Sequence, residues 1–387
     1  SANGSDMNNR RNHYGVTHDW KWATRNQTTT YLTHEDVSIG NGAYESKYQG
    51  TIANTKTLIP LDQHMITVGA EYKYEKTLHD ASRFPGSKSL NLSRWQAAVF
   101  AEDEFSLTDD FIVTGGLRYD KNQHYGTHIT PRLYGVFHAT ENLIVKGGVS
   151  GGYKTPTLKQ ADDRIVEIAA RGRSWDMGNR DLKPESSINY EMGFNWQNAQ
   201  DINFSLMAYH TRFKDKIDKW DYCSSPNPNV WSCTFNGETR QSIRQYINLD
   251  RARLQGLEAA FGMPLTDTLH LDANYTLASS KITSGTSKGK PLTNTPRHMF
   301  NVGVKWDPTE ALNIWGKAKY KSSSIDTDSS GVPAYTIVDL GVNYNFTKNL
   351  SGYAGIYNVF DKQIDTDNGY DKYLDGRRYF VGASVRF

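Results

Sequence analysis

The 387-residue chain combines a low hydrophobic content, 37%, with a mean hydropathy of −0.66, and no run approaches the ~18 consecutive apolar residues that a membrane-spanning helix needs. Its charge is close to balanced, 44 Lys and Arg against 42 Asp and Glu for a net +2, which gives no electrostatic case for a nucleic-acid partner. Aromatic residues at 12% and 32 glycines suit strands, and low hydropathy is compatible with strands that show apolar side chains on one face only.

Period-two runs recur along the whole chain. Tyr14–Trp22 alternates. In Phe111–Asp120 the set Phe111, Val113, Leu117 and Tyr119 opposes Thr114, Gly116, Arg118 and Asp120. In Ile188–Trp196, Ile188, Tyr190, Met192, Phe194 and Trp196 oppose Asn189, Glu191 and Asn195. Ser242–Pro264 is too long for a single bilayer crossing and is expected to project beyond it. The last eleven residues, Arg377–Phe387, place Tyr379, Val381, Ala383, Val385 and Phe387 on one parity and Gly382, Ser384 and Arg386 on the other, and the chain stops on an aromatic of the apolar face.

Two kinds of connection alternate between these runs. The short ones are polar turns at Ala23–Asn26, Pro60–Gln63, Thr108–Asp110, Thr140–Asn142, Asn198–Asp201, Pro264–Asp267, Asp307–Glu310 and Phe346–Asn349. The long ones lie near residues 39–46, 78–91, 122–127, 155–186, 219–241, 283–295, 323–333 and 361–376. Short turns at one end and long loops at the other are the pattern of an antiparallel transmembrane β-barrel, with the turns on the periplasmic side and the loops outside. On that reading the fold is all-β with about 17 strands, and charges such as Arg118 and Glu191 face a watery lumen instead of lipid. Single-chain bacterial barrels close with an even number of strands, so an odd count leads to the expectation that an N-terminal part with an odd number of strands is missing.

Cys223 and Cys233 lie ten apart in a segment rich in Ser, Pro and Asn. They are expected to form a loop-stapling disulfide in an oxidising compartment, and no further Cys or His group has the spacing of a metal site. Gly148-Val-Ser150-Gly-Gly152 fits a G-x-S-x-G string, but a nucleophile elbow needs a strand, a sharp turn and a helix, and here the string continues a strand. Lys288-Gly-Lys290 follows Gly285 too closely for a phosphate loop and runs into Pro291. No catalytic residue is expected.

The strings VFAEDEF at Val99–Phe105, GGLRYD at Gly115–Asp120, TPRL at Thr130–Leu133 and KGGVSGGYKTP at Lys146–Pro156 continue as NRDLKPE at Asn179–Glu185 and YINLDRARLQGLE at Tyr246–Glu258. PLTNTPRH at Pro291–His298, IYNVFD at Ile356–Asp361 and the terminal Gly376–Phe387 complete the series. In order and spacing the chain resembles the TonB-dependent outer-membrane receptors, closest to the colicin I receptor and ferric enterobactin receptor branch. The resemblance implies a single domain over residues 1–387, matching the C-terminal part of a 22-strand barrel, without the plug that fills such barrels or the box that TonB grips. It further implies an outer-membrane receptor for a ferric siderophore, a catecholate, energised through TonB and open to bacteriocins or phage. Iron would arrive already chelated, with no cofactor and no protein metal ligand.

A triply anionic chelate with aromatic rings calls for Arg or Lys beside Tyr or Trp. Loop 155–186 offers Arg164, Arg171, Arg173 and Trp175. Loop 219–241 offers Trp220, Tyr222, Trp231 and Arg240, and the last loop Tyr370, Lys372 and Tyr373. The competing assignment for each is a solvated loop residue, some of them touching lipopolysaccharide phosphates or outer-membrane lipid. Other functions considered are a passive plugless pore, a haem or cobalamin receptor, and a barrel-embedded hydrolase using Ser150. Leu182-Lys-Pro184-Glu185 reads as the start of a strand, with proline where no ladder donor is lost.

Overall fold

The computed structural model describes residues 8–40, 45–79, 89–169, 172–235, 237–292, 295–325, 331–364 and 374–387. Among these residues there is no α-helix. The strands are β1 (Asn8–Trp22), β2 (Asn26–Gly40), β3 (Glu45–Leu61), β4 (His64–His79), β5 (Leu90–Ser106), β6 (Phe111–Asn122), β7 (Gly126–His138) and β8 (Leu143–Lys154). Then come β9 (Val166–Ala169), β10 (Ser174–Met177), β11 (Glu185–Gln197), β12 (Asn203–Ser224), β13 (Cys233–Phe235), β14 (Glu238–Arg240), β15 (Ser242–Pro264) and β16 (Leu269–Ile282). The series ends with β17 (His298–Trp306), β18 (Leu312–Lys321), β19 (Ser324–Ile325), β20 (Gly331–Val332), β21 (Tyr335–Asn345), β22 (Leu350–Tyr357) and β23 (Arg378–Val385). Seventeen of these 23 strands run eight residues or more, in line with the expected number of crossings, and β15 has the long bounds expected of it.

The chain forms two compact units. One comprises Ser1–Gly135, Gly148–Asn189 and Phe213–Arg251; the other comprises Val136–Gly147, Tyr190–Arg212 and Ala252–Phe387. In the first, β1 to β6 form a continuous antiparallel meander, each strand paired with the next in sequence. In the second, β15 from Ala252 onward, β16, β17, β18, β21, β22 and β23 do the same.

The short turns owe their tightness to side-chain oxygens that stand in for backbone acceptors. Thr108 Oγ1 accepts from the amides of Asp110 at 3.2 Å and Phe111 at 3.0 Å. The same device recurs at Thr140, Thr266, Thr309 and Thr347, each followed three residues on by a leucine that starts the next strand. Asn198 does the equivalent for Gln200 and Ile202. Ala23, Asp62 and Asp201 carry positive φ of 52°, 50° and 60°, the left-handed bend that reverses a hairpin. One connection departs from expectation. Residues 122–127 are not a long loop: β6 ends at Asn122 and β7 starts at Gly126, whose φ of +71° and the Asn122 side chain, accepting from the His124 amide at 2.9 Å, close a tight turn.

Alternation becomes two faces of a wall. On β23, Val381 is 85% exposed and Val385 55%, while Phe380 and Gly382, of opposite parity, pack against Gly355 and Tyr353. Leu117, Tyr119, Ile188, Tyr190 and Met192 are likewise exposed on their apolar faces. The polar face of the first unit carries a charge network: Asn54 donates to Glu71 at 2.9 Å, and Arg118 reaches Glu71 at 3.7 Å and Asp120 at 3.1 Å. Arg132 binds Glu102 at 3.1 Å on the same wall. Leu182-Lys-Pro-Glu185 does start a strand. Glu185, the first residue of β11, accepts from Lys216 Nζ at 2.9 Å and the Ile217 amide at 3.0 Å. Asn248 fastens the same corner through Lys183 and the Asp215 carbonyl.

Candidate functional site

The long-loop end of the first unit carries a small folded head, built where the strand pattern stops alternating. Ser242, Ile243 and Arg244 at the start of β15 are all buried, because β10 lies beside them in a parallel pairing and β9 pairs with β10 in turn. Val166, Trp175, Met177, Cys233 and Ile243 form the dry centre, with Cys223 and Phe235 against it. The disulfide expected between Cys223 and Cys233 is present, joining β12 to the β13–β14 hairpin across a Cα separation of 5.7 Å.

This core is bordered by a buried ionic cluster. Asp176 accepts from Arg244 at 2.9 Å and from Lys219 Nζ at 2.8 Å, and both Asp176 and Arg244 are almost fully buried. Lys219 also sits 5.2 Å above the Tyr246 ring. Ser174 and Ser242 share a hydroxyl hydrogen bond of 2.6 Å, and the Gln241 amide donates to the Arg173 carbonyl at 2.8 Å. Charges removed from water hold only when paired, and here one carboxylate serves two cations.

The structure sorts the expected ligand residues into distinct groups. Trp175 is 3% exposed, so the expected surface ring is instead a core ring, buried because the parallel β10–β15 pairing turns it inward; Arg240 lies 4.6 Å over its face and also pairs with Glu238 at 3.0 Å. Trp220, Tyr222 and Trp231 are about half exposed, and Tyr222 meets Phe235 edge-on. Trp220 and Tyr222 have the parity opposite to Lys219, which faces the ionic cluster. Arg164 is held in a two-pronged contact by Asp162, at 2.9 and 2.6 Å. Burial works to raise the Asp162 carboxyl, but the hydrogen bonds and charge of Arg164, with Arg180 behind, outweigh it and hold the group below its ordinary value. Arg171, Tyr370, Lys372 and Tyr373 lie outside the described residues.

Sequence reasoning missed a second cluster on the inner face of the first unit. Glu75 on β4 and Arg94 on β5 are direct cross-strand partners and form a buried ion pair; Arg94 also donates to the Pro156 carbonyl, where loop 155–186 begins. Tyr48 on β3 donates to Glu75 at 3.0 Å. The His128 ring stacks on Tyr153 at 4.2 Å. A search for opposite charges at facing positions of neighbouring strands would have found Glu75 and Arg94, since that pairing is a function of register alone. Ser150 lies within β8, continuous strand on both sides, so the elbow a serine nucleophile requires is not formed there.

Comparison with known proteins decides the family. Residues 1–359 match the family described as TonB dependent receptor-like, beta-barrel. This chain belongs to the TonB-dependent receptor β-barrel family. It is 33% identical over its whole length to the iron-regulated outer membrane virulence protein of Vibrio cholerae, and 26% identical over 92% of its length to the ferric enterobactin receptor of Pseudomonas aeruginosa. It spans 59% and 54% of those two proteins. A solved structure of a variant of the Pseudomonas aeruginosa ferric enterobactin receptor superposes with a TM-score of 0.78 at 23% identity, covering 98% of this chain and 62% of that one. The antiparallel strands are thus those of an outer-membrane receptor barrel, and the exposed apolar faces are its lipid-facing belt.

Proposed function

We propose that this TonB-dependent receptor barrel captures a ferric siderophore of the catecholate type and passes it inward when TonB acts on an N-terminal plug. The observation that carries the reading is the conjunction of family membership with a stapled loop head bearing aromatic rings and cations. Trp220, Tyr222 and Trp231 stand half-exposed on it, Arg240 lies partly buried over the Trp175 ring beneath them, and Arg164 is exposed in the neighbouring loop 155–186. Guanidinium groups complement the negative catecholate oxygens and aromatic rings stack on catechol, so binding needs no protein ligand to the iron. The disulfide and the Asp176 cluster keep this surface ordered before the ligand arrives, which lowers the entropy lost on capture. The Arg94 hydrogen bond to Pro156 fastens the neighbouring loop to the inner wall in the same way. Bacteriocin or phage docking on the loops and lipopolysaccharide contact at the rim belong to the same reading.

The test is growth of an iron-starved strain lacking its own catecholate receptors and supplied with the full-length receptor. Ferric enterobactin should restore growth in a TonB-dependent manner, and an Arg240→Ala, Trp231→Ala variant should need about tenfold more chelate, the loss of two such contacts. Rescue by haem, cobalamin or a hydroxamate instead would replace the ligand class, and rescue without TonB would replace the mechanism.

A further inference from the structure

The inner face of the second unit, opposite in parity to Val381 and Val385, carries aromatic rings laid against glycines. Trp315 of β18 is the direct partner of Gly341 on β21, Phe380 of β23 that of Gly355 on β22, and Tyr353 of β22 that of Gly382 on β23. A Cβ at any of these three glycines would collide with the ring opposite, so each ring fills the place of a missing side chain. Tyr357, on the same face of β22, stacks on Phe380 at 4.8 Å, and Tyr353 lies 6.2 Å from Phe380. Because β22 runs from a short turn to a long loop, Tyr357, Phe380 and Tyr353 form a column descending from the long-loop end towards the short-turn end. Tyr353 and Tyr357 are 44% and 37% exposed, and Trp315 stands on the rung of Phe380 through the paired Gly341 and Gly355.

Cations accompany the rings. The Arg378 guanidinium lies 5.2 Å over Tyr357 and Lys317 Nζ 5.4 Å over Trp315, while Lys305 of β17 is the direct cross-strand partner of Trp315. On the inner face of the first unit Arg94, Arg118 and Arg132 are each held by a carboxylate of another strand. Among the described residues of the second unit, Lys305, Lys317 and Arg378 have no such partner. Asp339 faces Lys317 directly, but its carboxylate accepts from the Asn358 amide at 2.8 Å, and Asp272 bonds His270 at 3.2 Å. Rings seated on glycines would brace the wall by themselves; cations without counter-ions add nothing to bracing and are suited to an anion that comes and goes.

We propose that this inner wall is a lane along which an aromatic anion travels after capture, with Tyr357, Phe380 and Tyr353 as successive stacking faces and Arg378, Lys317 and Lys305 balancing its charge. The proposal rests on the catecholate reading above and assigns residues to a different step, passage instead of capture. Passage needs contacts favourable enough to admit the ligand yet weak and repeated enough to release it, and single rings with single cations, spaced down a wall, meet that requirement better than one tight pocket. Cations lining a concave wall also concentrate an anion along it.

The test uses the full-length receptor in iron-starved cells and ferric enterobactin labelled with radioactive iron, reading surface binding in the cold and TonB-dependent uptake on warming. Lys305→Gln with Lys317→Gln and Arg378→Gln should keep surface affinity within about twofold of wild type and slow uptake about tenfold, the low end of what charge lining a cleft contributes. Tyr353→Leu with Tyr357→Leu should slow uptake about fivefold, and Tyr353→Phe with Tyr357→Phe, which keeps the rings, should restore most of it. Heat-modifiable electrophoretic mobility checks that each variant is folded; if the leucine pair is not, Tyr357→Leu alone should slow uptake about threefold. Wild-type uptake by the folded variants, a loss of surface affinity as large as the loss of uptake, or a phenylalanine pair no better than the leucine pair would each overturn the lane. Entry of a large antibiotic through the glutamine variant would assign the cations to holding a plug and overturn it too. Absence of surface binding by the wild type would instead sink the catecholate reading and the lane with it, whereas normal binding with unaltered uptake in the variants sinks the lane alone.

Discussion

The two halves of β15 obey different rules. From Ala252 to Pro264 the strand alternates, with Leu257 exposed to the membrane side while Glu258 pairs across to Thr276 on the other face. From Ser242 to Arg244 alternation vanishes and three successive side chains are buried, one hydroxyl, one aliphatic and one guanidinium. The lower half separates two solvents, lipid and water, whereas the upper half joins β10 in a protein interior with its own core and buried charges. Alternation is thus the mark of a wall, and its loss marks the place where the chain builds a separate folded head with its own core.

Trp175→Ala should give the largest effect confined to the upper region. Removing a buried indole costs about 3–5 kcal/mol, and hydrogen exchange should accelerate in β9, β10 and the start of β15 while the β21–β23 amides keep their protection. Uniform acceleration would mean that the two regions are not separate. Leu257→Arg strikes the lower region instead, placing a charge in the band, with an expected cost of about 2–4 kcal/mol in urea titrations of the protein folded into vesicles. A variant as stable as wild type would mean that Leu257 does not face lipid.

Arg244→Met is a smaller perturbation of the head. Asp176 keeps Lys219 but loses its second cation, so about 1–3 kcal/mol of local stability should go, and adding Asp176→Asn should recover part of it. A cost simply additive in the two variants would contradict a shared cluster. The smallest effect concerns Asp162, whose folded-state carboxyl lies below its ordinary value. Its contribution is present above the unfolded carboxylate range and is lost as pH falls through the folded value, below about pH 4. Partly exposed Arg164 limits the effect to under ~1 kcal/mol, seen as faster proteolysis of loop 155–186 in acid in the wild type but not in Asp162→Asn. Acid sensitivity that survives Asp162→Asn would assign it elsewhere.

The wall was legible in the sequence because its physics is periodic and local. Tyr379, Val381, Ala383 and Val385 face lipid as their parity requires, and the threonines at 108, 140, 266, 309 and 347 mark turns by a three-residue spacing that needs no tertiary knowledge. Cys223 and Cys233 were legible from spacing and surroundings. The head was not, because Trp175 is buried by a strand from a distant part of the chain, and no local pattern distinguishes that from an exposed loop tryptophan. Arg94 and Glu75 were hidden for a related reason, since facing one another depends on the register of β4 against β5. The tight turn at 123–125 was misread because its polar residues look like those of a long loop, and the length of a connection follows from where the strands stop pairing.

The central claim is that alternate residues of the strands face lipid and water. Nitroxide labels at Leu257→Cys and Glu258→Cys, in a background with Cys223 and Cys233 replaced by serine and the protein in bilayers, test it most directly through collision with oxygen and with a water-soluble nickel chelate. The label at 257 should collide mainly with oxygen, which concentrates in lipid, and the label at 258 mainly with the nickel chelate. Equal accessibility at the two positions, or the reverse order, would contradict the account.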